Sequence, residues 1–171
     1  MHQAAFDWVT SSFHKLRNER DDLRILEVGS LDINGGVRNY LLPYSSSYHG
    51  IDPQDGPGVD EVADASEFIR PRSFDCIIST EVFEHTPSWR QIIGNSHINL
   101  VDGGFFIATM AGETRPPHSA VHGNAGPYEW EHYANIGEWE LGQTLKKYFS
   151  RYETSYINPM VHGDLRCWAI K

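Results

Sequence analysis

The spacing of apolar residues at the start of the chain predicts an amphipathic helix followed by a buried strand. Residues 3 to about 18 carry apolar side chains at helical spacing, with polar residues between them. These apolar residues are Phe6, Val9, Phe13 and Leu16. The run RILEVG at residues 24–29 shows no polar alternation except Glu27, which is typical of a central parallel strand covered on both faces. A buried carboxylate is costly without hydrogen-bond donors or a cation, so Glu27 is a candidate site residue.

Further apolar runs predict more strands and a closing hairpin. Three of these runs are residues 48–52 (YHGID), 74–80 (FDCIIST) and 104–110 (GFFIATM). Helical stretches lie between some of them, and strands that alternate with helices indicate a mostly parallel sheet. The last two runs, residues 152–157 and 165–170, are separated by Pro159 and Gly163. They predict an antiparallel hairpin at the edge of the sheet.

Capping residues predict two further helices with a long loop between them. Thr86 and Pro87 are typical of a helix start, and glycines at 103–104 are typical of its end. The buried stripe of this helix is predicted to be Trp89, Ile92, Ile93 and Leu100. Asn135 and Glu138 resemble a capping box that opens a last helix. Its inward residues are predicted to be Trp139, Leu145 and Phe149. Residues 111–135 form an irregular stretch, and loops of that length in compact domains are usually functional.

Composition and charge narrow the class of protein. The 171 residues are 40% hydrophobic and 22% charged, as expected of one globular domain. No apolar stretch approaches the ~18 residues needed to cross a membrane. The net charge of −9 works against binding a polyanion, so nucleic acid is not an expected substrate. Cys76 and Cys167 lie in apolar runs and are predicted to be buried, reduced thiols in a cytoplasmic protein.

A glycine-bearing turn and an acidic residue point to a nucleotide-type cofactor. ILEVGSLDINGG, residues 25–36, reads as a strand, a turn and a helix, which is where α/β sheets bind nucleotides. Asp52 ends the next strand, about 20 residues after Gly29, and a carboxylate there can accept both ribose hydroxyls. Taken alone, the glycine can equally serve the turn for steric reasons, and the aspartate can be a solvated turn residue.

Five segments occur in the order found in one known family. They are LEVGS with the turn LDINGG (26–36), GID (50–52), VADA (62–65), FDCIISTEVFEHT (74–86) and LVDGGFFIATMAG (100–112). Together they resemble the class I S-adenosylmethionine-dependent methyltransferases, within them the small domains called methyltransferase type 11. The resemblance implies a Rossmann-like, seven-stranded, mostly parallel sheet with helices on both faces and the closing hairpin. It implies one domain made of an N-terminal helix (1–20), a cofactor-binding core (24–112), an acceptor-site loop (111–135) and a last helix with the hairpin (136–171).

The resemblance also assigns residues to the cofactor, which would be S-adenosylmethionine. Glu27 and Gly29 would border its methionine moiety, and Asp32 would face the methionine ammonium group. Ser30, in the same turn, would also contact the cofactor. Asp52 would hold the ribose. Asp64 and Ala65 would border the adenine, and Glu81 would line the cofactor from the loop after the fourth strand.

The resemblance implies methyl transfer to a small-molecule acceptor, which would be a sugar or another hydroxyl compound. Methyl transfer is an in-line displacement that depends chiefly on alignment, so a base is optional. If the acceptor is a hydroxyl, His85, His118 and His122 are the candidate bases. We expect the acceptor to contact the 111–135 loop and the loop near His85, because the carboxyl ends of parallel strands converge there. Trp130 and Tyr133 either cover the acceptor or, the stronger expectation, anchor the loop by burial.

Other interpretations stay open at this point. A nicotinamide-dependent oxidoreductase places glycines and an acid at similar spacing, although the sequence lacks the G-x-G-x-x-G motif. A catalytically silent cofactor-binding or partner-activating subunit would carry the same segments. No metal site is predicted, because His118, His122 and His132 follow no helical or finger-like register. The oligomeric state is left open.

Overall fold

A seven-stranded sheet forms the centre of the computed structural model, which describes residues 3–121, 126–157 and 163–171. The strands are β1 (Leu23–Val28), β2 (Ser45–Asp52), β3 (Glu61–Val62), β4 (Phe74–Thr80), β5 (Leu100–Ala111), β6 (Arg151–Ile157) and β7 (Asp164–Ile170). Their order across the sheet is β3-β2-β1-β4-β5-β7-β6. The first five strands pair in parallel with one another, whereas β7 runs antiparallel to both β5 and β6. The predicted α/β sheet with its closing hairpin is confirmed.

Helices cover both faces of this sheet. In the part of the chain described, they are α1 (Gln3–Arg17), α2 (Arg38–Leu41), α3 (Trp89–Asn99) and α4 (Glu138–Tyr148). Successive side chains of a strand point to opposite faces. On one face, Ile25 of β1 joins a buried cluster with Phe13 of α1. On the other face, its neighbour Leu26 joins a cluster with Ile93 of α3 and Leu145 of α4. The predicted two-sided cover is therefore confirmed, and α1 packs as expected.

Helix α3 starts later and ends earlier than predicted. Ser88 is the residue before its first turn, and Thr86 does not cap the helix, because its hydroxyl accepts a hydrogen bond from Ser88 N at 3.2 Å. The helix ends at Asn99, where its carbonyl oxygen accepts a hydrogen bond from Ser73 N at 2.9 Å. Leu100 then enters β5, and the glycines at 103–104 lie inside that strand. The loop before β4 thus supplies a hydrogen-bond donor to the last carbonyl group of the helix.

The capping box predicted for α4 is wrong. Gly137 precedes the helix, with no side-chain cap. The Asn135 amide instead donates hydrogen bonds to the carbonyl oxygens of Gly112 and Arg115. Trp139, predicted to face inward, is 75% exposed, whereas Leu141, Leu145 and Phe149 are buried. Residue 139 lies about 200° around the helix from residue 141, because each residue turns the helix by about 100°.

The two cysteines are buried and free, as predicted. Pro159, which the sequence places in the hairpin turn, lies outside the described residues. None of the helices described here is both long and apolar enough to cross a membrane.

Candidate functional site

A cavity of about 640 Å³ opens where the carboxyl ends of β1, β2 and β4 meet. It is lined by all eight residues that the sequence singled out for the cofactor: Glu27, Gly29, Ser30, Asp32, Asp52, Asp64, Ala65 and Glu81. Two of the three candidate bases, His85 and His118, line the same cavity. The third, His122, lies outside the described residues. Because parallel strands end at one edge, residues far apart in sequence meet there.

Two features of the structure favour glycine at position 29, in the turn after β1. Its φ angle is +75°, in the left-handed region that favours glycine. A Cβ atom added at Gly29 would lie 2.1 Å from the Cγ2 atom of Val82. The close approach at this glycine is therefore made by the loop after β4, whose Val82 packs directly on the first turn.

Glu27 is a buried acid at the base of the cavity. Glu27 is only 4% exposed, and the Tyr48 hydroxyl donates a 2.8 Å hydrogen bond to its Oε2 atom. Burial raises the pKa of Glu27 from 4.5 to about 7, against the lowering effects of the Tyr48 hydrogen bond and the Arg38 charge. A cationic ligand group beside Glu27 would favour its ionised form.

Asp52 connects the first two turns at the rim of the cavity. Its Oδ2 atom accepts a hydrogen bond from Leu31 N at 3.3 Å, and its Oδ1 atom accepts one from Gln54 N at 2.9 Å. Burial raises the pKa of the half-buried carboxyl group. Each carboxylate oxygen has about two lone-pair directions, so both oxygens retain capacity to accept a ligand hydroxyl.

Asp32 and Asp64 shape turns around the same cavity. The Oδ1 atom of Asp32 accepts a 2.7 Å hydrogen bond from Gly35 N, and the Oδ1 atom of Asp64 accepts a 2.8 Å bond from Ser66 N. Both aspartates are exposed, so they fix the backbone at the cavity rim without a large desolvation cost.

A cluster of charged side chains lies beyond the end of β4. Glu81 has a φ angle of 58°, and its Oε2 atom lies 3.2 Å from the Nη1 atom of Arg115. Arg115 also forms an ion pair with buried Asp164 of β7. The guanidinium group therefore joins the long loop both to the end of β4 and to the closing hairpin.

Glu84 lies deepest in this cluster. The residue is fully buried, and neither of its carboxyl oxygens makes a hydrogen bond of ordinary geometry with the described residues. Burial raises the pKa of Glu84, and the nearby Glu81 charge raises it further. Neither Glu84 nor Arg115 was predicted from the sequence. The acidic pair at positions 81 and 84 was a usable signal for Glu84, whereas Arg115 reaches the site only through the path of the long loop.

His85 and His118 meet beside Glu84. Their ring centroids are 5.0 Å apart, and the Tyr133 ring packs edge-on against both. Burial, helped by the nearby His118 charge, lowers the pKa of His85 to about 4. Burial also lowers the pKa of His118. Both rings are therefore neutral near pH 7 and can accept a proton, although His85 is a weak base.

Trp130 departs from expectation. Trp130, expected to anchor the loop by burial, is 72% exposed and stacks on Tyr128 with ring centroids 5.5 Å apart. It does not line the cavity. His132 is exposed and does not join the His85 and His118 cluster.

Comparisons with known proteins identify the fold. No protein-family profile and no curated protein matches the chain. Solved structures do match it. An S-adenosylmethionine-dependent methyltransferase from Mesorhizobium loti superposes with a TM-score of 0.66 at 15% identity, covering 97% of this chain and 98% of that one. The N-methyltransferase NodS from Bradyrhizobium japonicum gives 0.62 at 16% identity, covering 97% and 96%.

A third match was solved with ligands. The 1,6-didemethyltoxoflavin-N1-methyltransferase from Burkholderia thailandensis, with bound 1,6-didemethyltoxoflavin and S-adenosylhomocysteine, superposes with a TM-score of 0.70 at 17% identity. The alignment covers 98% of this chain and 78% of that one. The chain therefore has the fold of the S-adenosylmethionine-dependent methyltransferases, and the resemblance seen in the sequence is confirmed at the level of the fold.

Proposed function

We propose that this protein binds S-adenosylmethionine and transfers its methyl group to a small-molecule acceptor that carries a hydroxyl group. One observation carries the proposal: the eight residues that the sequence assigned to this cofactor line a single cavity at the carboxyl edge of the parallel strands. A ligand at this edge is typical of α/β sheets. The methyltransferase fold supports the choice of cofactor over a nicotinamide nucleotide.

The side chains fit the charge pattern of this cofactor. Buried Glu27 has one hydroxyl donor, Tyr48, and an ionised carboxylate there would be stabilised by an ammonium group. Asp52 would accept hydrogen bonds from the ribose hydroxyls while its two backbone bonds hold it in place. When bound, S-adenosylmethionine supplies an electrophilic methyl group on a sulfonium sulfur.

The acceptor would enter from the side of His85 and His118, which line the far part of the cavity. Their neutral rings can take the proton of a hydroxyl group, whereas alignment by the surrounding wall contributes the larger part of the rate. The exposed rings of Tyr128 and Trp130 lie outside this cavity, so we assign acceptor contacts to the first part of the long loop, around Arg115 and Ser119.

Calorimetric titration tests the proposal directly. We expect one S-adenosylhomocysteine molecule to bind per chain, and we expect no binding of a nicotinamide dinucleotide. The Asp52→Ala substitution should weaken S-adenosylhomocysteine binding about 10- to 150-fold, the equivalent of about 1.5–3 kcal/mol for hydrogen bonds to a charged group. Asp55→Ala, at an exposed position close by, is the matched control and should bind as the wild type does.

The outcomes separate the alternatives. An unchanged dissociation constant in the Asp52→Ala protein, with a native circular dichroism spectrum, rules out the ribose role. Binding of the nicotinamide dinucleotide in place of S-adenosylhomocysteine would support the oxidoreductase. Cofactor binding without turnover on any hydroxyl compound would support the silent subunit.

A further inference from the structure

Three side chains beside the cavity have the arrangement of a metal site. Glu84, His85 and His118 each offer one donor atom, and these atoms all lie within 4.8 Å of one another. Carboxylate oxygens and imidazole nitrogens bind transition metals at about 2.0–2.2 Å, so two ligands on opposite sides of an ion lie about 4.2 Å apart. The three donor atoms are therefore within reach of one ion after small side-chain rotations.

Glu84 supplies the strongest independent evidence. It is fully buried, and within the described ranges neither carboxyl oxygen makes a hydrogen bond of ordinary geometry, although the backbone groups of Glu84 and Ala111 lie close to it. Buried polar groups in folded proteins nearly always have a partner, and an unpaired one calls for an explanation. The positive charge of Arg115 lies nearby, but its guanidinium group forms its ion pairs with Glu81 and Asp164. The Nε2 atom of His118 lies 3.8 Å from the Oε1 atom of Glu84.

The two imidazole rings are prepared to act as ligands. The Nδ1 atom of His118 donates a 3.3 Å hydrogen bond to the Pro116 carbonyl oxygen, which leaves the lone pair on Nε2, facing Glu84. Metal-binding histidines usually make such a bond to a backbone carbonyl through the nitrogen that is not bound to the metal. The Nδ1 atom of His85 is buried and lacks a hydrogen-bond partner among the residues that the structure describes.

We propose that Glu84, His85 and His118 bind one divalent first-row transition-metal ion at the wall of the cavity. Two imidazoles and one carboxylate suit ions such as Mn²⁺, Fe²⁺, Co²⁺ or Zn²⁺, whereas Mg²⁺ and Ca²⁺ prefer oxygen ligands. The three ligands leave coordination positions open on the side of the cavity, because His85 and His118 form part of its lining.

The open positions would take an oxygen atom of the acceptor, an inference that rests on the proposed function. A hydroxyl oxygen held there would be both oriented and made more acidic by the ion, which would replace proton transfer to either imidazole. The site therefore favours an acceptor with a hydroxyl group, or two adjacent hydroxyl groups, over an amine that has no oxygen ligand.

Cobalt binding tests the site without any reliance on activity. Protein free of affinity tags is treated with a chelator, dialysed and titrated with Co²⁺, and the visible absorption of the bound ion is recorded. We expect one Co²⁺ per chain in the wild type. The Glu84→Gln and His118→Gln substitutions should each raise the dissociation constant for Co²⁺ at least 10-fold and change the absorption bands. His132→Gln, at an exposed histidine of the same loop, should leave both unchanged.

Two variants keep the test decisive. If the Glu84→Gln protein fails to fold, the His118→Gln protein still tests Co²⁺ binding, because His118 is only half-buried. Circular dichroism checks that each variant folds. An absence of Co²⁺ binding to the wild type, or equal affinities in the wild type and the two ligand variants, overturns the proposal. S-adenosylhomocysteine is titrated separately. Binding of S-adenosylhomocysteine without Co²⁺ contradicts only the metal site, whereas binding of Co²⁺ without S-adenosylhomocysteine contradicts only the proposed function.

Discussion

Replacing Glu27 by glutamine should make the unliganded protein more stable above neutral pH. Burial raises the pKa of Glu27 from 4.5 to about 7. At roughly 1.4 kcal/mol per pKa unit, ionised Glu27 destabilises the folded state by about 3 kcal/mol relative to its neutral form. Glutamine has nearly the same volume, and its carbonyl oxygen can still accept the hydrogen bond from Tyr48.

The pH dependence has a definite sign. The folded state holds the Glu27 proton more tightly than the unfolded state, so this contribution to stability is complete below pH 4.5. It is lost as the pH rises to about 7 and stays lost above that pH. The Glu27→Gln protein has no such loss, because its side chain does not titrate. The difference between the two free energies of unfolding should therefore grow by about 3 kcal/mol from pH 4.5 to pH 8.

Urea unfolding at half-unit intervals across this range measures the difference. Taking the difference between variant and wild type cancels the other titrating groups, and Glu19→Gln at an exposed position serves as the matched control. We also expect the Glu27→Gln protein to bind S-adenosylhomocysteine more weakly in spite of its greater stability, since the carboxylate for the ammonium group is gone. Parallel stability profiles for wild type and Glu27→Gln would refute the assignment of a raised pKa to Glu27.

Two further pairs of substitutions test the turn after β1 and the candidate catalytic bases. Gly29→Ala should cost about 2–4 kcal/mol of stability in urea unfolding, from left-handed strain and contact with Val82. Gly103→Ala, with a similar φ of 77° and open space around it, should cost only about 1–2 kcal/mol, and equal costs would argue against the Val82 contact. His85→Ala should reduce turnover on an identified acceptor by about 10²- to 10⁴-fold with nearly unchanged cofactor affinity. Wild-type turnover in both His85→Ala and His118→Ala would leave alignment as the mechanism.

The central strands were predictable from sequence because their burial leaves a continuous apolar signal. The predicted bounds of β4, residues 74–80, agree with the structure, and β1 differs by one residue at each end. Strand β3 has only two residues, too few for any periodic pattern, and it was expected only from the family resemblance. The helix ends were harder to predict. The Asn135 amide, for example, donates its hydrogen bonds to carbonyl oxygens distant in sequence and does not cap the helix beside it.

The cofactor side of the site was predictable for a related reason. Parallel strands end at one edge, so Glu27, Asp52 and Glu81 had to lie near one another once the sheet was known. The acceptor side depends on where the long loop runs. No local pattern places Arg115 against Glu81, or His118 against Glu84, because these contacts join the loop to the segment after β4.

Hydrogen bonds hold the two ends of the long loop together, so the length of the loop can change at little cost in stability. Ile136 N donates a 2.9 Å hydrogen bond to the Ala111 carbonyl oxygen, and the Asn135 amide holds the Arg115 carbonyl oxygen at 2.8 Å. These hydrogen bonds fix the two ends of the loop to each other. Doubling the length of such a closed segment costs only about 0.6 kcal/mol in closure entropy. Insertions and replacements between residues 116 and 134 can therefore reshape the acceptor side while the sheet and the cofactor side stay intact, so a new acceptor preference can arise by grafting a single segment.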